Sequence, residues 1–134
     1  MISKKEDKIA FWKKTIKLFR YELYDEVNEA KSSLKLASLK PENDDFFYDF
    51  EELKHNLHEN GFKYKIIDLY LKRAEVCSSE FEKGDLYYKV FKIAKSLDDK
   101  DLAYKALKIG LEKAPKHKVL KLTYKKWIDD KKRY

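Results

Sequence analysis

The apolar residues of this chain recur at intervals of three and four positions along nearly its whole length. That spacing places them on one face of a helix, whereas a half-buried strand requires strict alternation, which no segment shows convincingly. The chain also has only 3 Gly and 2 Pro, fewer than a sheet protein of this size needs for its turns. The sequence therefore predicts an all-α fold of about seven helices joined by short connections.

Turn-forming residues mark the predicted helix ends. Pro41 and Pro115 each close an apolar segment, because proline cannot continue a helix and disfavours helical geometry in the residue before it. The pair Asn60-Gly61 suits a left-handed C-terminal cap, and the pattern breaks again near Gly84. Residues suited to capping the starts of helices are Asn43 or Asp44, and Asp98 or Asp99.

The chain repeats itself at a register of about 36 to 37 residues. Positions that align in the second helix of each unit are Ala30, Ile67 and Ala103; Leu34, Leu71 and Leu107; and Ala37, Ala74 and Gly110. Small residues are needed where two helix axes approach within about 8 to 10 Å. Because a glycine inside a helix costs about 1 kcal/mol relative to alanine, we expect Gly110 to lie at a close helix contact.

Two segments resemble the tetratricopeptide repeat. DLAYKALKIGLEKAP, residues 101–115, is similar to the second helix of that repeat, with Ala103, Leu107, Gly110 and Pro115 at its small, large, small and proline positions. HENGFKYKIIDLYLKRAEV, residues 58–76, is similar to a turn and second helix. The end of the chain also resembles the half-a-tetratricopeptide repeats of RNA-processing scaffolds. The resemblance is clearest over residues 84–131.

The resemblance implies a short α-solenoid of about three antiparallel helical hairpins and a C-terminal capping helix. We expect residues 1–134 to form a single helical-repeat domain. The expected units are 8–41, 44–78 and 84–115, followed by a capping helix at 116–131. The resemblance also implies a non-catalytic adaptor or scaffold, which would bind a peptide or a helix of another protein in a concave groove.

The same resemblance assigns groove positions to the first helix of each unit. By resemblance these positions are Phe11, Lys14, Leu18 and Tyr21 in the first unit, Tyr48, Glu51, His55 and His58 in the second, and Asp85, Tyr88, Lys92 and Lys95 in the third. The alternative interpretation is that these side chains are exposed but bind no partner. Both interpretations stay open at the level of sequence.

Charge is unevenly distributed along the chain. Residues 104–134 contain eleven Lys or Arg and three Asp or Glu, whereas residues 41–60 contain one Lys and seven acids. The alternative function is therefore a nucleic-acid-associated repeat protein that contacts phosphate through Lys118, Lys121, Lys125 and Lys126. A solvated polar face on a capping helix explains these lysines without any ligand, and this explanation is favoured because Trp127 lies at core spacing on the same helix. The acidic and basic regions also suggest a head-to-tail homodimer.

The motifs of common enzymes and cofactor sites do not occur in the sequence. The glycines stand too far apart for a phosphate-binding loop, and a single cysteine, Cys77, excludes an internal disulfide and a paired-cysteine zinc site. His55 and His58 would share a helix face, but two side chains do not complete a metal site. We expect no enzymatic activity, no metal, no cofactor and no membrane span, and a cytoplasmic protein in which Cys77 is structural.

Overall fold

The computed structural model describes residues 4–132, which form seven α-helices and no strand. A π-helical turn, Leu18–Glu22, extends the first helix, and a 3-10 turn, Lys54–Asn56, follows the third. The α-helices are α1 Lys4–Lys17, α2 Glu26–Leu39, α3 Asp44–Leu53, α4 Asn60–Val76, α5 Glu80–Ser96, α6 Lys100–Lys113 and α7 Lys118–Lys132. The predicted all-α class and the number of helices are confirmed, and both are consistent with a helical-repeat fold.

The chain divides into two compact units, with the boundary between Leu69 and Tyr70 inside α4. In unit 1, residues 1–69, α2 packs against both α1 and α3. In unit 2, residues 70–134, α5 packs along α6, and α7 contacts both of them. The solenoid with units 8–41, 44–78 and 84–115 and a cap at 116–131 stays a prediction.

Within the described residues, side-chain oxygens cap the starts of four of the helices. In each cap an oxygen of the capping residue accepts a hydrogen bond from the backbone N–H three residues further on, which satisfies one of the unpaired donors of the first turn. The pairs are Asp25 with Asn28 (3.1 Å), Asn43 with Phe46 (2.9 Å), Ser79 with Glu82 (3.2 Å) and Asp99 with Leu102 (3.1 Å). Asn43 and Asp99 are therefore the caps among the alternatives that the sequence offered.

Two of the expected helix boundaries are wrong. Gly61 lies in the first turn of α4, and no glycine of the described residues has a positive φ, so Asn60-Gly61 does not form a left-handed cap. Gly84 lies inside α5, which begins at Glu80 behind the Ser79 cap. The left-handed conformation is found instead at Tyr24 (φ 51°) and Asp98 (φ 56°).

The core of each unit includes positions that align in the sequence at a register of about 36 to 37 residues. Ala30, Leu34 and Ala37 are buried in unit 1, and Ala103, Leu107 and Gly110 are buried in unit 2. A Cβ added at Gly110 would lie 2.7 Å from Cβ of Tyr87 and 3.1 Å from Cδ1 of Leu120. The close helix contact expected at Gly110 is therefore present, and it explains a glycine in the middle of a helix.

Candidate binding surfaces

A row of exposed side chains runs along α1 and its π-helical turn. Phe11, Leu18 and Tyr21 are 59%, 41% and 63% exposed, and the exposed Lys14 lies between them in the sequence. The buried Ile16 marks the opposite, core-facing side of the same helix. We call Phe11, Lys14, Leu18 and Tyr21 the α1 stripe. All four of the positions expected from the resemblance in this segment are thus accessible to solvent.

Apolar exposure continues around the turn between α1 and α2. The N–H of Leu23 donates to the carbonyl of Leu18 at 3.0 Å, a bond one residue longer than an α-helical one, and Tyr24 then adopts its left-handed conformation. Leu23, Tyr24 and Val27 are 56%, 80% and 45% exposed. Large apolar side chains therefore stand in solvent at the end of this hairpin.

The expected groove residues of α3 are only partly available. Tyr48 is 56% exposed and its ring meets Phe47 edge to face, with centroids 5.4 Å apart. Glu51 is half-buried and its carboxylate binds Nζ of Lys54 at 2.9 Å. His55 and His58 are both exposed.

The two histidines do not share a helix face as the sequence suggested. His55 lies in the 3-10 turn after α3, and His58 follows that turn. The described part of the chain contains no group of three or more His, Cys, Asp and Glu side chains arranged to hold a metal ion.

Lysines cover aromatic rings on α5. Nζ of Lys92 lies 5.6 Å from the ring centroid of Tyr88, and Nζ of Lys95 lies 6.0 Å from that of Phe91. The rings of Tyr88 and Phe91 are stacked, with centroids 6.1 Å apart and planes 18° apart. Three of the expected third-unit positions, Tyr88, Lys92 and Lys95, thus form one cluster. Asp85 instead contacts His117, with Oδ1 2.7 Å from Nε2 of the imidazole.

The cluster continues onto α7 within the same unit. Trp127 meets Phe91 edge to face at 5.9 Å, and Nζ of Lys131 lies 5.7 Å from the Trp127 ring and 5.0 Å from that of Tyr104. The rings of Tyr104 and Tyr124 are stacked at 6.2 Å, and the hydrogen bond with Tyr104 raises the pKa of Tyr124. We define the lysine–aromatic surface as Tyr88, Phe91, Lys92, Lys95, Trp127 and Lys131.

The four candidate lysines of α7 are all exposed. Trp127 is half-buried and Leu120 is fully buried, so both belong to the packed side of the helix, whereas Val119 is 46% exposed. These four lysines are Lys118, Lys121, Lys125 and Lys126. Within the described part of the chain, none of the four forms an ion pair with a carboxylate.

Sequence reasoning missed a buried histidine that joins α5 to α7. Nδ1 of His117 accepts a hydrogen bond from the backbone N–H of Leu120 at 3.2 Å, and Nε2 lies 2.7 Å from Oδ1 of Asp85. The backbone N–H of Leu120 can only donate, so Nδ1 must be unprotonated. Nε2 therefore carries the ring proton and donates a hydrogen bond to Oδ1 of Asp85. His117 is therefore the N-cap of α7. The sequence signal that could have identified this cap is the position of His117 two residues after Pro115.

The surroundings of His117 make it a structural group. Its ring stacks on Phe81 with centroids 5.5 Å apart, and a shallow cavity of about 220 Å³ is lined by Glu80, Phe81, Lys116 and His117. The backbone N–H of Lys116 donates to Glu80 at 3.3 Å across the same region. Both ring nitrogens of His117 are therefore hydrogen-bonded within the fold.

Cys77 is half-buried after the end of α4. Its Sγ lies 3.6 Å from the carbonyl oxygen of Ala74, and burial raises the pKa of the thiol. A raised pKa lowers the fraction of thiolate, which is the nucleophilic form. These features agree with the structural role expected for this cysteine.

The two units differ sharply in charge. Unit 2 contains 18 Lys or Arg and 10 Asp or Glu, a net charge of +8, whereas unit 1 contains 13 and 14, a net charge of −1. The excess positive charge of the protein therefore resides in unit 2, on the same helices that carry the lysine–aromatic surface. No helix among residues 4–132 combines the length and apolar character needed to cross a bilayer.

Comparison with known proteins gives no relative from which a function can be transferred. The chain has no significant match to a protein-family model, to a curated protein or to a solved structure. Function must therefore be argued from the surfaces themselves.

Proposed function

We propose that this protein is a non-catalytic adaptor, which binds an apolar peptide or helix of another protein through the α1 stripe. The observation that carries the proposal is the exposure of Phe11, Leu18 and Tyr21 on a helix whose other side is already packed in the core of unit 1. Exposed apolar patches on folded domains mark interaction sites more often than isolated exposed residues do.

The composition of the α1 stripe supports a protein partner. Aromatic side chains contribute strongly to protein interfaces, because they bury a large area while losing little conformational freedom. Lys14 adds one cation within a largely apolar row, which suits an amphipathic segment with a carboxylate beside its apolar residues. Tyr48 on α3 gives the same unit a further exposed aromatic ring.

The chemistry of the described residues supports a non-catalytic role. The thiol of Cys77 is kept protonated by burial, and the nitrogens of His117 are both engaged in hydrogen bonds. Neither side chain offers the activated nucleophile or free base on which covalent or acid–base catalysis depends.

The test compares capture of partners from a native lysate, with and without nuclease treatment, by three versions of the full chain. The first is the wild type, the second carries Phe11→Ser and Tyr21→Ser, and the control carries Val119→Ser and Leu122→Ser. The control also removes two exposed apolar side chains, of 46% and 69% exposure, but from unit 2. The proposal predicts one dominant protein that the wild type and the control retain and that the α1-stripe variant loses.

Equal capture by all three versions would refute the proposal. Capture that disappears after nuclease treatment would also refute it, because the retained protein would then have been bridged by nucleic acid. Gel filtration of the purified wild type, at low and high salt, separates binding to a second copy of the chain from binding to a different protein. A dimer lost with Phe11→Ser and Tyr21→Ser would identify the partner as the chain itself.

A further inference from the structure

We propose that the lysine–aromatic surface of unit 2 binds single-stranded nucleic acid, with its lysines on the phosphates and its rings beside the bases. This inference goes beyond the adaptor function, because it concerns other residues in the other unit. The first support is electrostatic. A net charge of +8 on unit 2, against −1 on unit 1, gives this unit alone the attraction for a polyanion.

The second support is the placement of the lysines. Lys92, Lys95 and Lys131 are exposed, and each ammonium lies within 6.0 Å of an aromatic ring centroid. Within residues 4–132 none of the three forms an ion pair with a carboxylate, so their charges are available to phosphate oxygens. Contact with a ring restricts each side chain before binding, and this reduces the entropy lost when a ligand is bound.

The carboxylates nearest to this surface in the sequence do not neutralise it. Asp129 and Asp130 precede Lys131 on α7, and both are exposed. Asp130 stands three positions after Trp127 and so shares its helix face, but within residues 4–132 neither Asp129 nor Asp130 forms an ion pair with Lys131, which lies over the rings of Tyr104 and Trp127. The four exposed lysines of α7 strengthen the positive field on the same helix.

The aromatic rings of this surface favour a single strand over other polyanions. Phe91 is buried, whereas Tyr88 and Trp127 are only half-buried, so Tyr88 and Trp127 are the rings of this surface that a base can reach. Proteins that bind single strands combine cations for the backbone with aromatic rings for unpaired bases. A duplex hides its bases in the stack, and an acidic peptide offers carboxylates without bases. Rings interleaved with unpaired lysines therefore fit a single strand best.

The experiment measures binding of the full chain to a labelled single strand of about 20 nucleotides by fluorescence anisotropy, a length that exceeds the roughly 4 to 16 nucleotides covered by typical single-strand sites. Each phosphate contact contributes about 0.7 to the slope of log K against log salt. With three lysines engaged, we expect a slope of about −2, which corresponds to a loss of affinity of roughly 18-fold between about 50 and 200 mM salt.

Charge reversal locates the site. Lys92→Glu with Lys95→Glu should reduce the slope by about 1.4, since two phosphate contacts are removed. The matched control is Lys8→Glu with Lys17→Glu, which makes the same change in net charge at exposed residues of α1 in unit 1. The control should keep the wild-type slope. Circular dichroism of each variant confirms that the helices are retained.

Four results would overturn the proposal. No measurable binding at low salt would do so, as would equal loss of slope in both pairs of variants, which would indicate attraction by net charge alone. Loss of binding with Lys121→Glu and Lys125→Glu, but not with the α5 pair, would move the site to the outer lysines of α7. Equally effective competition by a duplex or by poly-glutamate would identify a general polyanion or acidic-peptide surface instead.

Discussion

Gly84 in α5 lies so close to His117 that a side chain at position 84 would overlap the imidazole ring, because a Cβ built there runs into Cγ and Cδ2 of His117. The absence of a side chain at Gly84 is therefore what allows His117 to cap α7 while its ring packs against α5. A helix-weakening residue thus stands where tertiary packing requires it.

The three glycines should respond differently to alanine. Gly84→Ala and Gly110→Ala should each lower the free energy of unfolding by about 1–2 kcal/mol, because overpacking exceeds the gain of roughly 1 kcal/mol in helix propensity. A methyl group at Gly61 would meet no atom within 4 Å, so Gly61→Ala should be neutral or stabilising by up to about 1 kcal/mol. Urea denaturation measures all three, and an equal effect at the three sites would contradict this account.

His117→Ala should destabilise the protein by about 2–3 kcal/mol, since it removes a helix cap and leaves a cavity where a buried ring was packed. His117→Asn should recover about 1 kcal/mol of this loss, because an asparagine oxygen can accept the N–H of Leu120. Urea denaturation compares the two variants. In the wild type, nitrogen NMR should show the proton on Nε2, and a proton on Nδ1 would exclude the cap.

The cap at Asp25 makes stability depend on pH. The hydrogen bonds from the backbone and side chain of Asn28 lower the pKa of the Asp25 carboxyl. Its stabilising contribution is therefore fully present above the unfolded pKa of about 3.9, and it is lost as the pH falls through the lower folded value. Asp25→Asn keeps the capping geometry without the titration.

The free energies of unfolding of the wild type and of Asp25→Asn should therefore converge as the pH falls from about 5 to below the folded pKa. Chemical denaturation at a series of pH values measures this difference. A constant difference over that range would show that Asp25 does not titrate with folding.

Removing only one partner of the ion pair between Arg20 and Glu29 should lower the free energy of unfolding. Nε of Arg20 donates to Oε2 of Glu29 at 2.6 Å, and the side chains are 40% and 8% exposed. This hydrogen bond raises the pKa of Arg20. Arg20→Met leaves a buried carboxylate without this partner.

We expect Arg20→Met to cost about 2 kcal/mol, below the usual 3–5 kcal/mol for a buried pair because water reaches the arginine. Adding Glu29→Gln to the Arg20→Met variant should restore part of the loss. A double-mutant cycle from urea denaturation measures the coupling. Additive effects of the two substitutions would show that the pair contributes no coupling.

Local chemistry made much of the fold predictable. The end of α2 and the starts of α3 and α6 follow directly from the sequence. Each is set by a residue less than one turn away, namely Pro41, Asn43 and Asp99. The close contact at Gly110 was also predictable, since an interior helical glycine needs a packing reason.

Features that depend on distant residues were not predictable. Gly84 was interpreted as a break, because nothing in the local sequence shows that the ring of His117, 33 positions further on, would occupy the space of its side chain. The lysine–aromatic surface was found only in part for the same reason. Tyr88, Lys92 and Lys95 share one helix, but their junction with Trp127 and Lys131 depends on how α7 packs on α5.

The π-helical turn at Leu18–Glu22 also affects how the length of this chain can vary. A π turn holds one residue more than the α-helical turn that would otherwise occupy the same stretch. Deleting one residue there would let the hydrogen bonds close in the α pattern, with Ile16 before it and the Asp25 cap after it left in place. This hairpin is therefore the point at which homologous chains are expected to gain or lose a single residue while keeping both neighbouring helices.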